Sequence, residues 1–441
     1  MRTELEIIRN TAQSLNDSEN DYDKLLQDIG DCSIVLIGEA SHGTHEFYQE
    51  RVRITQRLIR EKGFTAVALE ADWPDTYRVN QYVSILREEL SAETALADFK
   101  RFPTWMWRNR EMENFVDWLH RWNQGLSLEQ RIGVYGLDLY SLHTSIEAVI
   151  QYLDKLDPKA AANARKRYSC FEHFNQDMQE YGLRTAYGLS QSCEDEVVQQ
   201  LVELRQNAWE YINRNGRLSE DEFFNAEMNA RLAKNAEHYY RCMFKGHVLS
   251  WNLRDTHMSE ILDALLNHLK RFEREPKVVV WAHNSHLGDA RATYMAGIGE
   301  INIGQLTREK YREAVYSIGF STHTGMVTAT SEWEMPASNK RVRPSVSGSW
   351  ENLFHQASLS AFILNLRNPE LRQALNFTLL ERAIGVIYRP ETEKQSHYFK
   401  ADLPNQFDSI IHIDTTQAVE PIERNPEWIE GELPETYPFT V

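Results

Sequence analysis

Four short apolar runs, rich in β-branched residues, constrain the fold more than any other feature of this chain. They are Ser33-Ile34-Val35-Leu36-Ile37, Thr65-Ala66-Val67-Ala68-Leu69, Ile132-Gly133-Val134-Tyr135 and Lys277-Val278-Val279-Val280-Trp281. Unbroken apolar character over four or five residues, without polar alternation, is what a strand covered on both faces requires, and parallel sheets supply such strands. Between the first two runs, Glu46 to Lys62 has helical periodicity and is closed by Gly63; after the second, a further helix is expected from Pro74-Asp75. This β-helix-β pattern predicts an α/β fold with a mostly parallel central sheet flanked by helices.

From about Ile146 to Phe272 the period becomes 3.6, as in Met258, Ile261, Leu262, Leu265 and Leu269. Helices are expected near 196–213, 222–244 and 251–271. Because this block separates the third strand from the fourth, residues 146–272 read as an all-helical insertion walling a pocket. Residues 1–145 and 273–441 form the α/β core that carries the cleft. Strands resume at Ala314 to Phe320, Phe362 to Leu364, Ile384 to Ile387 and Ser409 to Ile411, with 321–349 expected as a long loop. With 441 residues, of which 42% are apolar and 11% aromatic, the chain has enough material for a large core.

A net charge of −17 repels polyanions, and the basic stretches Arg51 to Arg60 and Arg165 to Arg167 are broken or short, so no nucleic-acid partner is expected. No apolar stretch approaches the ~20 residues that cross a bilayer. The N-terminus lacks an apolar signal core, and Cys32, Cys170, Cys193 and Cys242 form no CxxC pair. A cytoplasmic protein with reduced thiols, no membrane partner and no cofactor is expected.

Each of the four strands runs into ionisable residues. The first is followed by Glu39, His42 and His45, the second by Glu70, Asp72 and Trp73, the third by Asp138 and the fourth by His283 and His286. Ligands of open parallel sheets bind outside the carboxyl ends of the strands, which places these groups at one crevice. One such residue alone is most simply a helix cap or a turn group. Four strand ends delivering charge to one place would be costly to desolvate without a use.

An imidazole takes a proton from water near neutral pH, and a carboxylate on its other nitrogen fixes the tautomer and stabilises the cation. His42 beside Glu39 or Glu70 fits this division of work. His283 and His286 are candidates for steadying a developing oxyanion, and Arg51 for tying down a carboxylate. The sequence has no G-x-S-x-G elbow, no HExxH, no P-loop and no correctly spaced GxGxxG, which leaves activated water as the simplest nucleophile.

The run Ile37-Gly38-Glu39-Ala40-Ser41-His42-Gly43-Thr44-His45-Glu46-Phe47 resembles the opening motif of the erythromycin esterase family. Leu69-Glu70, Gly136-Leu137-Asp138, Trp251-Asn252-Leu253-Arg254-Asp255 with His257-Met258, and Trp281-Ala282-His283-Asn284-Ser285-His286 resemble that family too, in its order. The resemblance implies His42 as the base that activates water, with Glu39, Glu70, Arg51, His283 and His286 at the other expected positions. Asp138, His45, Asp72 and Trp73 are expected to contact substrate.

The expected function is therefore hydrolysis of a carboxylic ester or macrolactone by His-activated water, with antibiotic resistance as its context where the lactone is a macrolide. Two alternatives stand beside it. One is a divalent-metal-dependent hydrolase using His42, His283, His286 and a glutamate. The other is a non-catalytic protein that binds a small ligand.

Overall fold

The computed structural model describes residues 3–174, 177–213, 217–271 and 275–426. Its strands are β1 (Gln13–Ser14), β2 (Ile34–Ile37), β3 (Ala66–Asp72), β4 (Gly133–Asp138), β5 (Val278–Trp281), β6 (Val315–Ala329), β7 (Ser338–Val342), β8 (Ala361–Asn365), β9 (Leu379–Arg382), β10 (Tyr398–Ala401) and β11 (Ser409–Thr416). One sheet has the order β1-β8-β11-β6-β2-β5-β3-β4, with β7 hanging from β6, and β9 pairs separately with β10. From β11 to β4 all neighbours are parallel, whereas β1, β7 and β8 run antiparallel to their partners.

The expected central strands are present, and their apolar character follows from burial on both sides. Ile34, Leu36, Ala68 and Val280 pack in one core; Val35, Ile37, Leu69 and Trp281 pack in another across the sheet. The first core is shared with Leu153, Met258, Ile261 and Leu265 of the long helical segment, the second with Phe47, Ile54 and Leu58 of the helix His45–Lys62. Between β4 and β5 the described residues are helical or turn, beginning at Leu142. The expected end of that block near 272 falls outside the described residues.

Several expectations need correction. β2 and β3 are not neighbours, because β5 returns late in the chain and lies between them. Residues 321–349 are not a loop. β6 runs on to Ala329 and folds back on β7, with Gly325 opposite Val342 and Ala329 opposite Ser338. Threonines at 322, 324 and 328 suit a pleated strand through their branched side chains while reading as polar loop residues. Ile384 to Ile387 forms no strand and makes only single bridges, from Ile384 to Ser41 and from Ile387 to Thr330. The four thiols are not all free either. Packing of the segment Ser169–Phe174 beside the start of the helix Glu194–Gln206 joins Cys170 to Cys193, whereas Cys32 and Cys242 remain free and buried.

Candidate active site

The carboxyl ends of β2, β3, β4 and β5 open into a cleft of about 330 Å³. His42, Glu70, Asp72, Asp138, His283 and His286 line it. A break in register between Leu69 and Asp72 turns this end of β3, a common device beside functional sites. Gly136 permits it, since a Cβ there would lie 2.6 Å from the carbonyl oxygens of Ala71 and Asp72.

Glu39 and Arg51 lie beneath the cleft wall, both fully buried. Arg51 occupies the apolar stripe of its helix, between Phe47 and Ile54, so its guanidinium is directed inward. Its Nη2 is 2.6 Å from Glu39 Oε2, and its guanidinium stacks over Tyr48 at 4.3 Å. The other Glu39 oxygen, Oε1, meets His42 Nδ1 at 2.8 Å. Of the two carboxylates open to His42, Glu39 therefore holds it. The His42 loop is fixed from outside by Ile384, whose N–H donates to Ala40 O at 2.8 Å.

Glu70 is engaged elsewhere. Oε1 accepts from Arg254 Nη2 at 2.7 Å and lies 3.3 Å from His286 Nε2; Oε2 accepts the His283 backbone N–H at 2.8 Å. Arg254 also grips Asp138 through Nε and Nη2, at 3.0 and 2.7 Å, and reaches His286 Nε2 at 3.0 Å. Burial alone would raise the Glu70 carboxyl, but His286, Arg254 and His42 outweigh it and hold the group well below the usual range. Asp138 is likewise lowered, because Arg254 outweighs its burial.

The two histidines after β5 differ. Burial works against the His286 cation, yet Asp255 on Nδ1 at 2.9 Å and Glu70 near Nε2 outweigh it, and its pKa is raised. Its ring stacks on Trp251 at 4.6 Å. His283 is pushed down to about 3 by burial and by the neighbouring His42, whose ring centroid is 4.9 Å away. Its Nδ1 is taken up by Ser285, at 3.2 Å from the N–H and 2.8 Å from Oγ, and its other ring nitrogen is Nε2. That Nε2 is buried near the Ala40 carbonyl and makes no hydrogen bond of normal geometry.

Two expected contact residues lie outside the cleft. His45 begins its helix turned away and pairs with Glu111 in a separate groove. Trp73 begins the helix Trp73–Val83 and points under the helical segment, donating to Asn225 Oδ1 at 2.9 Å and packing edge-on against Phe224. Asp72 stays at the rim, where it accepts from Tyr140 N, Ser141 Oγ and Arg101 Nε at 2.7, 2.7 and 3.1 Å. Its neighbour Asp75 is pushed up to about 8 by burial and by Asp72.

Sequence reasoning assigned no role to Arg254, Asp255, Arg101 or Tyr140. A signal was present for Asp255, a charged residue on the same helical stripe as Met258 and Leu262. Among the described residues no three His, Cys, Asp or Glu side chains are arranged to hold a metal ion. Both ring nitrogens of His286 are already engaged, so the residues present do not fit the metal-dependent alternative.

The sequence profile described as erythromycin esterase matches residues 59–416. The chain belongs to the erythromycin esterase family. Membership supports hydrolase chemistry. An Escherichia coli protein named erythromycin esterase type II is 22% identical over 429 residues, covering 92% of this chain and 94% of that one. The fold is shared with a Bacillus cereus protein of known crystal structure, at TM-score 0.75 and 21% identity over 95% of this chain and 98% of that one. It is shared also with a variant erythromycin esterase in its open conformation, at TM-score 0.65 and 16% identity over 95% and 98%. No helix among the described residues is long and apolar enough to cross a membrane.

Proposed function

We propose that this member of the family hydrolyses a carboxylic ester or lactone, with His42 taking a proton from the attacking water. The observation that carries the reading is the Glu39–His42 contact at 2.8 Å, backed by buried Arg51 at 2.6 Å from the same carboxylate. With Nδ1–H donated to Glu39, His42 keeps the lone pair of Nε2 for the cleft, and the carboxylate stabilises the imidazolium as it forms. Arg51 holds the Glu39 carboxylate in place. The Arg254–His286 pair supplies positive charge for an oxyanion, and neutral His283 lies against the His42 ring. Collapse of that tetrahedral oxyanion breaks the C–O bond, and the proton on His42 passes to the departing alkoxide.

The helical segment 146–272 forms the pocket wall in this reading. It places Trp251 and Arg254 in the cleft, and Tyr239, Tyr240 and Met243 along an outer groove of about 1140 Å³ that shares Arg101, Tyr140 and Trp333 with the cleft. The substrate is a small molecule, and the name of the E. coli relative brings macrolactones into the panel to be tested. Turnover of an ester and lactone panel, measured with and without chelator, tests the proposal. Hydrolysis insensitive to chelation is expected, and binding without turnover of any member would overturn it.

A further inference from the structure

β2 stops at Ile37, while its neighbour β6 continues to Ala329. The side chain of Asn284, arriving just after β5, takes the place of the missing strand. Its Nδ2 donates to the Phe320 carbonyl at 2.8 Å, and its Oδ1 accepts the Phe320 N–H at 3.3 Å. Gly38 makes room for it, because a Cβ there would lie 2.2 Å from Asn284 Oδ1. The Asn284 backbone N–H donates to the Glu39 carbonyl at 2.8 Å. One fully buried residue thus links β6 to Glu39 directly and to His283 as its chain neighbour.

A further contact reaches the amide from below. Asn284 Nδ2 lies 3.4 Å from Glu381 Oε1 on β9. Glu381 shares its enclosure with Glu351 of the helix Trp350–His355 and Gln406 of the helix Leu403–Gln406. Glu381 Oε2, Glu351 Oε2 and Gln406 Oε1 are buried without a hydrogen-bond partner. Arg382, the nearest cation, donates its backbone N–H to Glu351 Oε1, but its guanidinium serves Tyr398, Glu393 and the carbonyls of Thr322, His323 and Arg343. Burial of two carboxyls in one enclosure favours a retained proton, and the Arg382 charge opposes this at Glu351. Burial and Glu351 push Glu381 up to about 8, against the smaller opposing effects of Gln406 and Asn284.

We propose that Asn284 and Glu381 are positioning residues that register Glu39 and His283 across β2, β5 and β6. Ionisation of Glu381 sets two buried carboxylates against each other and loosens the clamp. The consequence for turnover rests on the hydrolase reading above; the consequence for geometry does not.

The test uses full-length Asn284→Ala, Glu381→Gln and Glu381→Ala. In ¹⁵N-histidine spectra, which need no substrate, the His283 and His42 ring signals are expected to shift in Asn284→Ala while unfolding stays cooperative. On an ester cleaved by the unsubstituted protein, kcat should fall roughly 10- to 100-fold with little change in KM, as misplaced reacting groups do. Because Glu381 takes up a proton on folding, its contribution to native stability should decline from about pH 4.5 to about pH 8, and Glu381→Gln should make the pH slope of stability shallower by that share. Glu381→Gln should also hold a larger share of kcat than Glu381→Ala and lose less of it on the alkaline side. A folded Asn284→Ala protein with unaltered histidine signals overturns the proposal, as does a Glu381→Gln protein that keeps the full pH slope of stability. Should Asn284→Ala fail to fold, the two Glu381 variants decide. Should no ester be hydrolysed, the hydrolase reading fails alone and the spectra still decide this one.

Discussion

Glu39 Oε1 lies 2.8 Å from His42 Nδ1, three residues along the same loop, with neither side chain more than one-tenth exposed. A carboxylate so placed commits the imidazole to one tautomer, so its replacement and that of its histidine should be felt in chemistry before stability. His42→Ala or His42→Gln is expected to lower turnover by ~10²–10⁴, the usual worth of a general base. The capping alternative expects instead a loss of ~1 kcal/mol in stability with chemistry spared. Melting temperature and specific activity on the same purified variants separate the two, and a His42→Ala protein with full specific activity would end the water-activation proposal.

Arg51 is the one Lys or Arg side chain paired with Glu39 among the described ion pairs, and both are fully buried. Arg51→Met leaves that carboxylate charged and without its counter-ion, which should cost about 3–5 kcal/mol in urea unfolding. The double variant Arg51→Met/Glu39→Gln should lose less stability than Arg51→Met alone, because the stranded charge is gone. Equal or greater loss in the double variant would mean that Arg51 matters for its packing on Tyr48 and Trp281 instead.

The network around Glu70 gives stability a definite pH dependence. Glu70 titrates below its ordinary value of 4.5 in the folded state, so its contribution is present above that pH and is lost as pH falls towards its folded value. His286 is raised above 6.5, so its contribution is present below that pH and fades as pH rises through its folded value. Glu70→Gln should melt lower than the unsubstituted protein at pH 7, and the gap should narrow below about pH 4.5. In the hydrolase reading its loss of activity appears mainly in kcat, since the amide keeps the shape without the charge. A gap constant from pH 7 to pH 3 would mean that the Glu70 charge contributes nothing to folding.

Legibility in the sequence followed burial. β2 to β5 could be read because both faces are covered and each opens on a run of residues without charge, whereas the far half of β6, with His323, Thr324, Gly325 and Met326 half-buried, carried no such mark. The Glu39, Glu70, His283 and His286 positions could be read because each lies at the carboxyl end of a strand or within five residues beyond it, where direction is common to neighbouring strands. His45 and Trp73 could not, although each lies next to such residues. Both open a helix, in which each residue turns about 100° from the last, so adjacency in sequence no longer means a shared face. Arg254 comes from a helix in a remote part of the chain, and only tertiary packing brings it to Glu70 and Asp138.

Selectivity should be separable from chemistry at Trp333. This residue sits in the turn between β6 and β7, is half exposed, meets Phe102 edge-on at 4.8 Å, and borders both the inner cleft and the outer groove. It touches none of the groups that hold His42. A large apolar surface left in water at the mouth of a cleft is best explained by what it receives, and its contacts to a bulky substrate would be the same before and during reaction. Trp333→Ala is therefore expected to raise KM for bulky lactones with kcat nearly unchanged, and to leave small acyl esters alone. Stability should move by no more than about 0.5 kcal/mol, as for other exposed positions. Exchange of the 146–272 segment with that of a relative should act more broadly, altering substrate range through Tyr239, Tyr240 and Trp251 while some esterase chemistry survives. Steady-state kinetics across a size series of esters and lactones reads both changes. If Trp333→Ala lowers kcat equally for small and bulky esters, Trp333 serves the reacting centre and not the substrate's outer part.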